Sequence, residues 1–115
     1  MPILRAISIK QPFVEQILRG TKRKEYRSKL TNIRERVYIY ASAKPKDNPA
    51  AWRQVGVRPG GPDTRAIVGT VEITGCNWDA RAGEYAYTLK NPKRLRKHLK
   101  AVNQPLPGFW RPRFK

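Results

Sequence analysis

Apolar and polar residues alternate with a period of two in several separate segments, and this pattern limits the fold more than any other feature of the chain. In the clearest segment, residues 66–76, Ile67, Val71 and Ile73 fall on one side. Side chains of a strand point alternately to the two faces of a sheet, so the pattern predicts a strand with a buried face. We predict the other strands at residues 4–9, 23–27, 34–43 and 84–90.

Helical signals are few and short. Pro12 and Gly20 enclose an apolar face made by Phe13, Val14, Ile17 and Leu18, which predicts one amphipathic helix between two strands. A second short helix is expected around Trp52 in the proline- and glycine-rich segment 44–63. Two short helices cannot cover both faces of a parallel sheet, so we predict an α+β fold, a small mixed β-barrel of about five strands with short peripheral helices.

The C-terminal third is predicted to change from strand to helix. Asn91 and Pro92 should stop the strand at residue 90, because proline cannot donate to a sheet ladder. Five of the eight residues 93–100 are Lys or Arg, and Leu95 and Leu99 are spaced to anchor a helical turn.

The charge of the chain indicates a polyanionic partner. Its 115 residues carry 25 Lys and Arg against 8 Asp and Glu, a formal net charge of +17. Such a field attracts polyanions at long range, so RNA, DNA and an anionic membrane are the candidates. The membrane is the least favoured of these, because no apolar run approaches the roughly 20 residues of a spanning helix.

Other function classes receive little support from the composition. One cysteine, Cys76, excludes an internal disulfide, and together with the single His98 it leaves zinc with too few ligands. We therefore expect no metal and no cofactor. No secretion leader is evident, so we expect a cytoplasmic protein, a monomer with one domain over residues 1–115.

The most unusual local feature is the run of charge in residues 20–27. Glu25 is the one acid among Lys22, Arg23, Lys24 and Arg27. In a strand Arg23, Glu25 and Arg27 share one face, which would set a carboxylate between two guanidinium groups. The carboxylate could orient bases that bind phosphate, or the run could be an ion-paired strand edge. The residues alone favour neither interpretation.

A resemblance to a known family bears on that choice. The pattern Gly20-x-Lys22-x-x-Glu25-x-Arg27 is similar to the G-x-K-x-x-E-x-R signature of ASCH domains, relatives of the PUA RNA-binding fold. Residues 6–13 resemble the strand-to-helix junction that opens the family's fold, and residues 40–44 resemble the strand that follows the signature. Weaker likenesses at residues 67–71, 90–92 and 109–110 resemble the form of the domain found in the activating signal cointegrator protein.

The resemblance implies a β-barrel with a cleft walled by the signature, a basic surface, and nucleic-acid binding. Some family members are enzymes that cleave RNA or remove an acyl group from modified cytidine. In the amidohydrolase branch a threonine stands where this chain has Glu25, and a carboxylate cannot supply the same hydroxyl. We therefore favour a binding module, with a hydrolase acting on RNA or on an acylated cytidine nucleoside as the alternative; Lys22 and Glu25 would be its catalytic pair.

The expected partner is nucleic acid, with RNA favoured over DNA, and a nucleoside-like ligand would fit the cleft. Bases should stack on exposed aromatic side chains, and we expect Trp52 to be the most exposed of Tyr26, Tyr38, Tyr40, Trp52 and Trp110, at least half of which should be buried. The predicted ligand-binding residues are Lys10, Gln11, Lys22, Lys24, Glu25, Arg27, Ser42, Lys44, Trp52, Arg96 and Lys97.

Overall fold

The computed structural model describes residues 3–58 and 61–115. In that part the chain forms six strands and two short helices, which include the five predicted strands and the two helices predicted before residue 64. The strands are β1 Ala6–Ile9, β2 Lys24–Arg27, β3 Arg36–Ala41, β4 Ala66–Asp79, β5 Glu84–Leu99 and β6 Phe109–Trp110, and the helices are α1 Phe13–Leu18 and α2 Pro49–Val55.

All six strands belong to one sheet with the order β2-β5-β4-β3-β1-β6. Only β1 and β3 run parallel, and the other neighbours are antiparallel. The predicted α+β class with a barrel-like sheet is confirmed, with six strands instead of about five. Within the described residues β2 and β6 remain edges of the sheet, so backbone hydrogen bonds do not close it into a complete barrel.

One face of the sheet carries the core, as the period-two pattern predicts. On β3, Val37, Ile39 and Ala41 are fully buried, and the tyrosines between them are half-buried. Helix α1 packs Val14 and Ile17 into the same cluster. This packing anchors α1 directly before the charged segment that leads into β2.

Local residues explain where α1 ends and where α2 begins. Gly20 follows α1 with φ +82°, a conformation that glycine adopts without steric cost. The Asn48 side chain accepts a hydrogen bond from the Ala51 N–H at 3.1 Å and so caps the start of α2.

The predicted stop at Asn91–Pro92 and the helical turn at 93–100 are wrong, because β5 continues to Leu99. The register between β4 and β5 shifts at this point, and Asn91 adopts φ +51°, so the two residues lie in a bulge. β2 pairs only with residues 85–88 of β5, so the later part is an edge where proline costs no ladder bond.

Strands β4 and β5 form a long hairpin that extends past the predicted end at Cys76. The Asp79 carboxylate accepts hydrogen bonds from the N–H groups of Arg81 and Ala82 at 3.0 and 3.1 Å, which shapes the turn. Trp78 therefore lies near the hairpin tip, opposite Tyr85. Neither described helix has the length and apolar character needed to cross a membrane.

Candidate functional site

The signature residues form a compact ion cluster at the junction of α1 and β2. The Glu25 side chain is only 9% exposed, although it is charged. Its Oε2 accepts a hydrogen bond from Arg27 Nε at 2.9 Å, and its Oε1 lies 3.5 Å from Lys22 Nζ. Because both oxygens contact a cation, the buried carboxylate is electrostatically compensated.

Each cation of the cluster has a second partner that fixes its position. Arg27 Nη2 donates to the carbonyl oxygen of Ser8 at 2.6 Å, so its guanidinium bridges the edge strand β2 to β1. Lys22 Nζ lies 5.0 Å from the ring centroid of Phe13 and 5.6 Å from that of Tyr26, within cation–π range. The cluster is therefore preorganised.

Strand register decides which charges of residues 20–27 belong to the cluster. Glu25 is paired with Tyr87 and Arg27 with Tyr85 on β5, so these four side chains share one face. Arg23 was predicted on that face, but β2 begins after it, and its side chain is exposed. Lys22, instead of Arg23, is the second cation that contacts Glu25, because the turn at Gly20 brings it over the carboxylate.

A groove of about 530 Å³ opens beside Lys22, and we call it the basic groove. Its floor contains Ile17, Val71 and Leu89. The cations that line it are Lys22, Arg23, Lys24 and Lys90. Among the described residues that line the groove none is acidic, so its rim presents concentrated positive charge above an apolar surface.

A second opening of about 400 Å³ lies between β2 and β6, and we call it the edge slot. Arg27, Tyr87 and Phe109 line it, and the two rings stack with centroids 6.1 Å apart and an interplanar angle of 16°. Tyr87 donates its hydroxyl to the carbonyl oxygen of Lys29 at 2.7 Å. Burial raises the pKa of Tyr87, so the phenol stays protonated and remains a donor at neutral pH.

Lys10 and Ser42 line a third, separate pocket of about 540 Å³ together with Tyr40 and Arg65. Burial raises the pKa of Tyr40, with Arg65 opposing the shift. The structure thus brings Lys22, Glu25 and Arg27 together, but it distributes the predicted single cleft over the basic groove, the edge slot and this pocket.

Besides Glu25, two predicted site residues are held inside the protein. Gln11 is 2% exposed; its Nε2 donates to the Asp63 carbonyl at 3.0 Å, and its Oε1 accepts from the Glu15 N–H. The predicted exposure of Trp52 is wrong. Trp52 is 7% exposed, because α2 turns its indole inward to donate to the Lys46 carbonyl at 3.0 Å.

The remaining predicted cations lie on the surface, apart from the cluster. Lys44 is exposed after β3, and Arg96 and Lys97 are exposed on the edge portion of β5. Lys24 is exposed at the start of β2 and lines the basic groove. Of the five aromatic residues weighed in the sequence, Trp52 and Trp110 are buried and the three tyrosines are half-buried.

Acidic residues outside the cluster also form ion pairs, and Glu72 and Glu15 are examples. Glu72 accepts from Arg36 Nη2 at 2.9 Å across β3 and β4. Glu15 accepts from Arg94 at 2.6 Å and from Arg19 at 2.9 Å, and the hydrogen bond from Arg94 is the main cause that lowers the pKa of Glu15. Among residues 3–58 and 61–115 no three His, Cys, Asp or Glu side chains form a group that could hold a metal ion.

Sequence reasoning missed Trp78. It is 56% exposed and contacts Tyr85 edge-on, with ring centroids 5.1 Å apart. The signal available was its position directly before the Asp-Ala-Arg-Ala-Gly segment, which is typical of a hairpin turn. An aromatic residue at a hairpin end has few neighbours to cover it.

Comparisons with known proteins agree with this architecture. A crystal structure of ZmASCH from Zymomonas mobilis, in a serine-to-alanine mutant form, is similar with a TM-score of 0.62 and 17% sequence identity, and the match covers 95% of this chain and 87% of that one. At this identity the likeness shows the fold alone. A search of curated proteins finds no match. The ASCH domain family matches residues 7–104, and the chain therefore belongs to the ASCH domain family.

Proposed function

We propose that this domain binds nucleic acid, with RNA favoured, and that the basic groove contacts the phosphate backbone. The observation that carries the proposal is the lining of the groove, which has four cations and, among its described residues, no carboxylate. Of these cations Arg23, Lys24 and Lys90 are exposed. They can approach phosphates without first breaking an ion pair with Glu25, so little binding energy is lost.

The signature cluster supports a holding role more than a catalytic one. Both oxygens of Glu25 already contact cations, and Arg27 is also bound to the Ser8 carbonyl. An acid or base needs an oxygen that can reach the proton of a substrate. Glu25 instead orients Lys22 and Arg27, so that Lys22 presents its charge to the groove and Arg27 to the edge slot.

Exposed cations elsewhere on the sheet extend the same surface. Lys93, Arg96 and Lys97 are exposed on β5 beyond Lys90. Their spacing along one edge strand suits contacts to successive phosphates, which position a nucleic acid without reading its sequence.

Anisotropy of a labelled RNA single strand of about 12 nucleotides, titrated over a series of KCl concentrations, tests the proposal. The wild-type affinity should fall with a log–log slope of about −0.7 for each phosphate contacted. The triple variant Arg23→Gln, Lys24→Gln and Lys90→Gln should bind more weakly, with a slope smaller in magnitude by about 2.

A matched control separates local contacts from total charge. The triple variant Lys46→Gln, Arg53→Gln and Arg58→Gln removes the same charge at exposed positions around and after α2. The proposal requires that this control keep most of the wild-type slope. Equal losses in both triple variants would show that the groove has no special role, and absence of binding to RNA and DNA near physiological salt would refute the function itself.

The hydrolase alternative gives a different result in the same samples. If the domain is a hydrolase, the wild-type protein will convert single-stranded RNA or acylated cytidine to product. A folded Lys22→Ala variant will then form no product. We expect the RNA and the nucleoside to remain intact. Turnover that depends on Lys22 would replace the binding proposal.

A further inference from the structure

Trp78 is an exposed indole that the core does not use. It is 56% exposed, whereas Trp52 and Trp110 are 7% and 5% exposed. The edge-on contact with Tyr85, at 5.1 Å between centroids and 70° between planes, supports the indole from one side. A large flat ring held in this way offers its free face to a partner.

Strand register places Trp78 on the same face as the signature. Trp78 on β4 lies opposite Tyr85 on β5, and Tyr85 lies opposite Arg27 on β2. Neighbouring strands are about 4.8 Å apart, so the backbones of Trp78 and Arg27 are about 10 Å apart across this row. The next row on the same face is Cys76, Tyr87 and Glu25. The row Trp78, Tyr85 and Arg27 therefore connects the exposed indole at the hairpin tip to the edge slot.

We propose that Trp78, supported by Tyr85, is a stacking platform for one unpaired base of a single-stranded nucleic acid. The inference rests on the proposed function and makes it more specific, because it names the form of nucleic acid that the domain prefers. In a duplex the faces of the bases are covered by their neighbours. A base can lie on an indole only when the strand is single or the base is unstacked.

The charges around the platform favour a base at the tip and phosphates beside it. Asp79 and Glu84 lie in the row next to Trp78 and Tyr85, and with Arg81 between them they leave the turn with one net negative charge, so the hairpin end attracts a phosphate less than the edge slot does. Arg27 and Lys29 line the edge slot at the other end of the row and attract the backbone there. A neutral base over Trp78 satisfies both conditions.

A net charge of +17 also favours a nucleic acid over a second copy of this chain as the occupant. Two copies would repel each other through their overall positive charge, whereas a polyanion is attracted by the same field. The platform is small, so it suits one ring better than a protein surface.

The test uses the full chain and two labelled probes, a mixed-sequence RNA single strand of about 12 nucleotides and a blunt duplex of the same sequence. Trp78→Ala should weaken single-strand binding by about 5-fold to 150-fold, the range measured for loss of one stacked base. Trp78→Phe should retain most of the affinity, because a smaller ring still stacks. The salt slope should stay at the wild-type value in both variants, since no charge changes.

Two further measurements identify stacking itself. Duplex affinity should be the same in wild type and Trp78→Ala. Trp78 is the exposed tryptophan, so its fluorescence is the part of the total that added acrylamide quenches. Binding of the single strand should quench this same fluorescence, and Trp78→Phe should not show the change. Because the side chain is exposed, the thermal midpoint of Trp78→Ala should match that of wild type.

The outcomes separate the two proposals. Wild-type protein that binds neither probe, nor DNA of the same sequence, near physiological salt would refute the proposed function. Wild-type protein that binds RNA while Trp78→Ala stays within about twofold of it, or loses duplex and single-strand affinity equally, would refute the platform alone. Self-association in sedimentation experiments that disappears in Trp78→Ala would identify a second copy as the occupant and would also overturn the inference.

Discussion

Replacing Glu25 by Gln tests the physical role of the signature most directly. The substitution keeps the volume and planarity of the side chain, so it creates no cavity. It removes the charge that compensates Lys22 and Arg27, both of which lie close to the buried carboxylate. The Gln amide also places an N–H₂ group where one of the two cations now finds an oxygen.

The exposure of the three side chains sets the expected size of the effect. Removing one partner of a fully buried ion pair costs about 3–5 kcal/mol, whereas an exposed pair contributes about 0–1 kcal/mol. The Glu25 carboxylate is 9% exposed, but Lys22 and Arg27 are 18% and 24% exposed, so water screens the cations that remain. We expect a loss of about 2–3 kcal/mol, or roughly 8–15 °C in the unfolding midpoint.

Urea unfolding of wild type, Glu25→Gln and Glu72→Gln measures this difference. Glu72 also pairs with an arginine, at 2.9 Å, but its side chain is 38% exposed, so its loss should cost less than about 1 kcal/mol. Similar free energies for the two variants, at unchanged dependence on urea, would contradict the argument from burial.

RNA binding by Glu25→Gln distinguishes an orienting role of Glu25 from a general charge effect, because the two predict opposite changes in affinity. The variant gains one positive charge, and an unspecific electrostatic effect would raise its affinity for a polyanion. If Glu25 orients Lys22 and Arg27, affinity should fall in spite of that charge. Higher affinity with unchanged salt slope would leave Glu25 a purely structural residue.

Three further predictions follow from packing and ionisation. The pKa of Glu15 is lowered, so its ion pairs should stabilise the protein above roughly pH 4.5 and lose that contribution as pH falls through the folded pKa. Urea unfolding from pH 7 to 3 should show this loss of stability, and the Glu15→Gln variant should depend less on pH over that range. The pKa of Tyr87 is raised, so its contribution should persist below about pH 10 and disappear as pH rises through the folded pKa, and Tyr87→Phe should cost about 1 kcal/mol at pH 7 in urea unfolding. Gly69→Ala would place a Cβ 2.5 Å from Leu18 Cδ2 and 2.7 Å from the Lys93 carbonyl oxygen. Calorimetry should therefore show that the free energy of unfolding falls by about 1–3 kcal/mol. The loss should be smaller for Gly75→Ala, whose nearest contact is the Thr88 hydroxyl at 3.1 Å.

The first half of the fold could be predicted because local signals agree with one another there. Pro12 and Gly20 bound an amphipathic helix, and the alternation in β3 marks Val37 and Ile39 as buried. The second half contains a signal that fits two structures. Leu95 and Leu99 are four apart, which puts them on one face of a helix and equally on one face of a strand. Pairing with β4 decides in favour of the strand, and the residues of β5 alone do not contain that information.

Side-chain exposure was predicted less well, because it depends on contacts between distant segments. Trp52 lies in a proline- and glycine-rich segment, yet α2 turns it towards the Lys46 carbonyl. Trp78 follows a β-branched strand, yet β4 carries it beyond the core to the hairpin tip. The division of the predicted cleft has the same cause, since Lys10 lines the pocket beside Tyr40, whereas Arg27 lines the edge slot.

The charges of residues 20–27 divide into two groups once the chain is folded. Lys22, Glu25 and Arg27 turn inward and connect β2 to α1 and β1 at an edge where the sheet has no backbone pairing in the described residues. Arg23 and Lys24 turn outward into the basic groove. The inner group needs Glu25, because its carboxylate compensates the charges of Lys22 and Arg27. The outer group has no acidic partner among the described residues, so its charges are available to bind a phosphate. The turn after Gly20 and the alternation of side chains within β2 therefore let one short segment both stabilise the open edge of the sheet and present positive charge to a ligand.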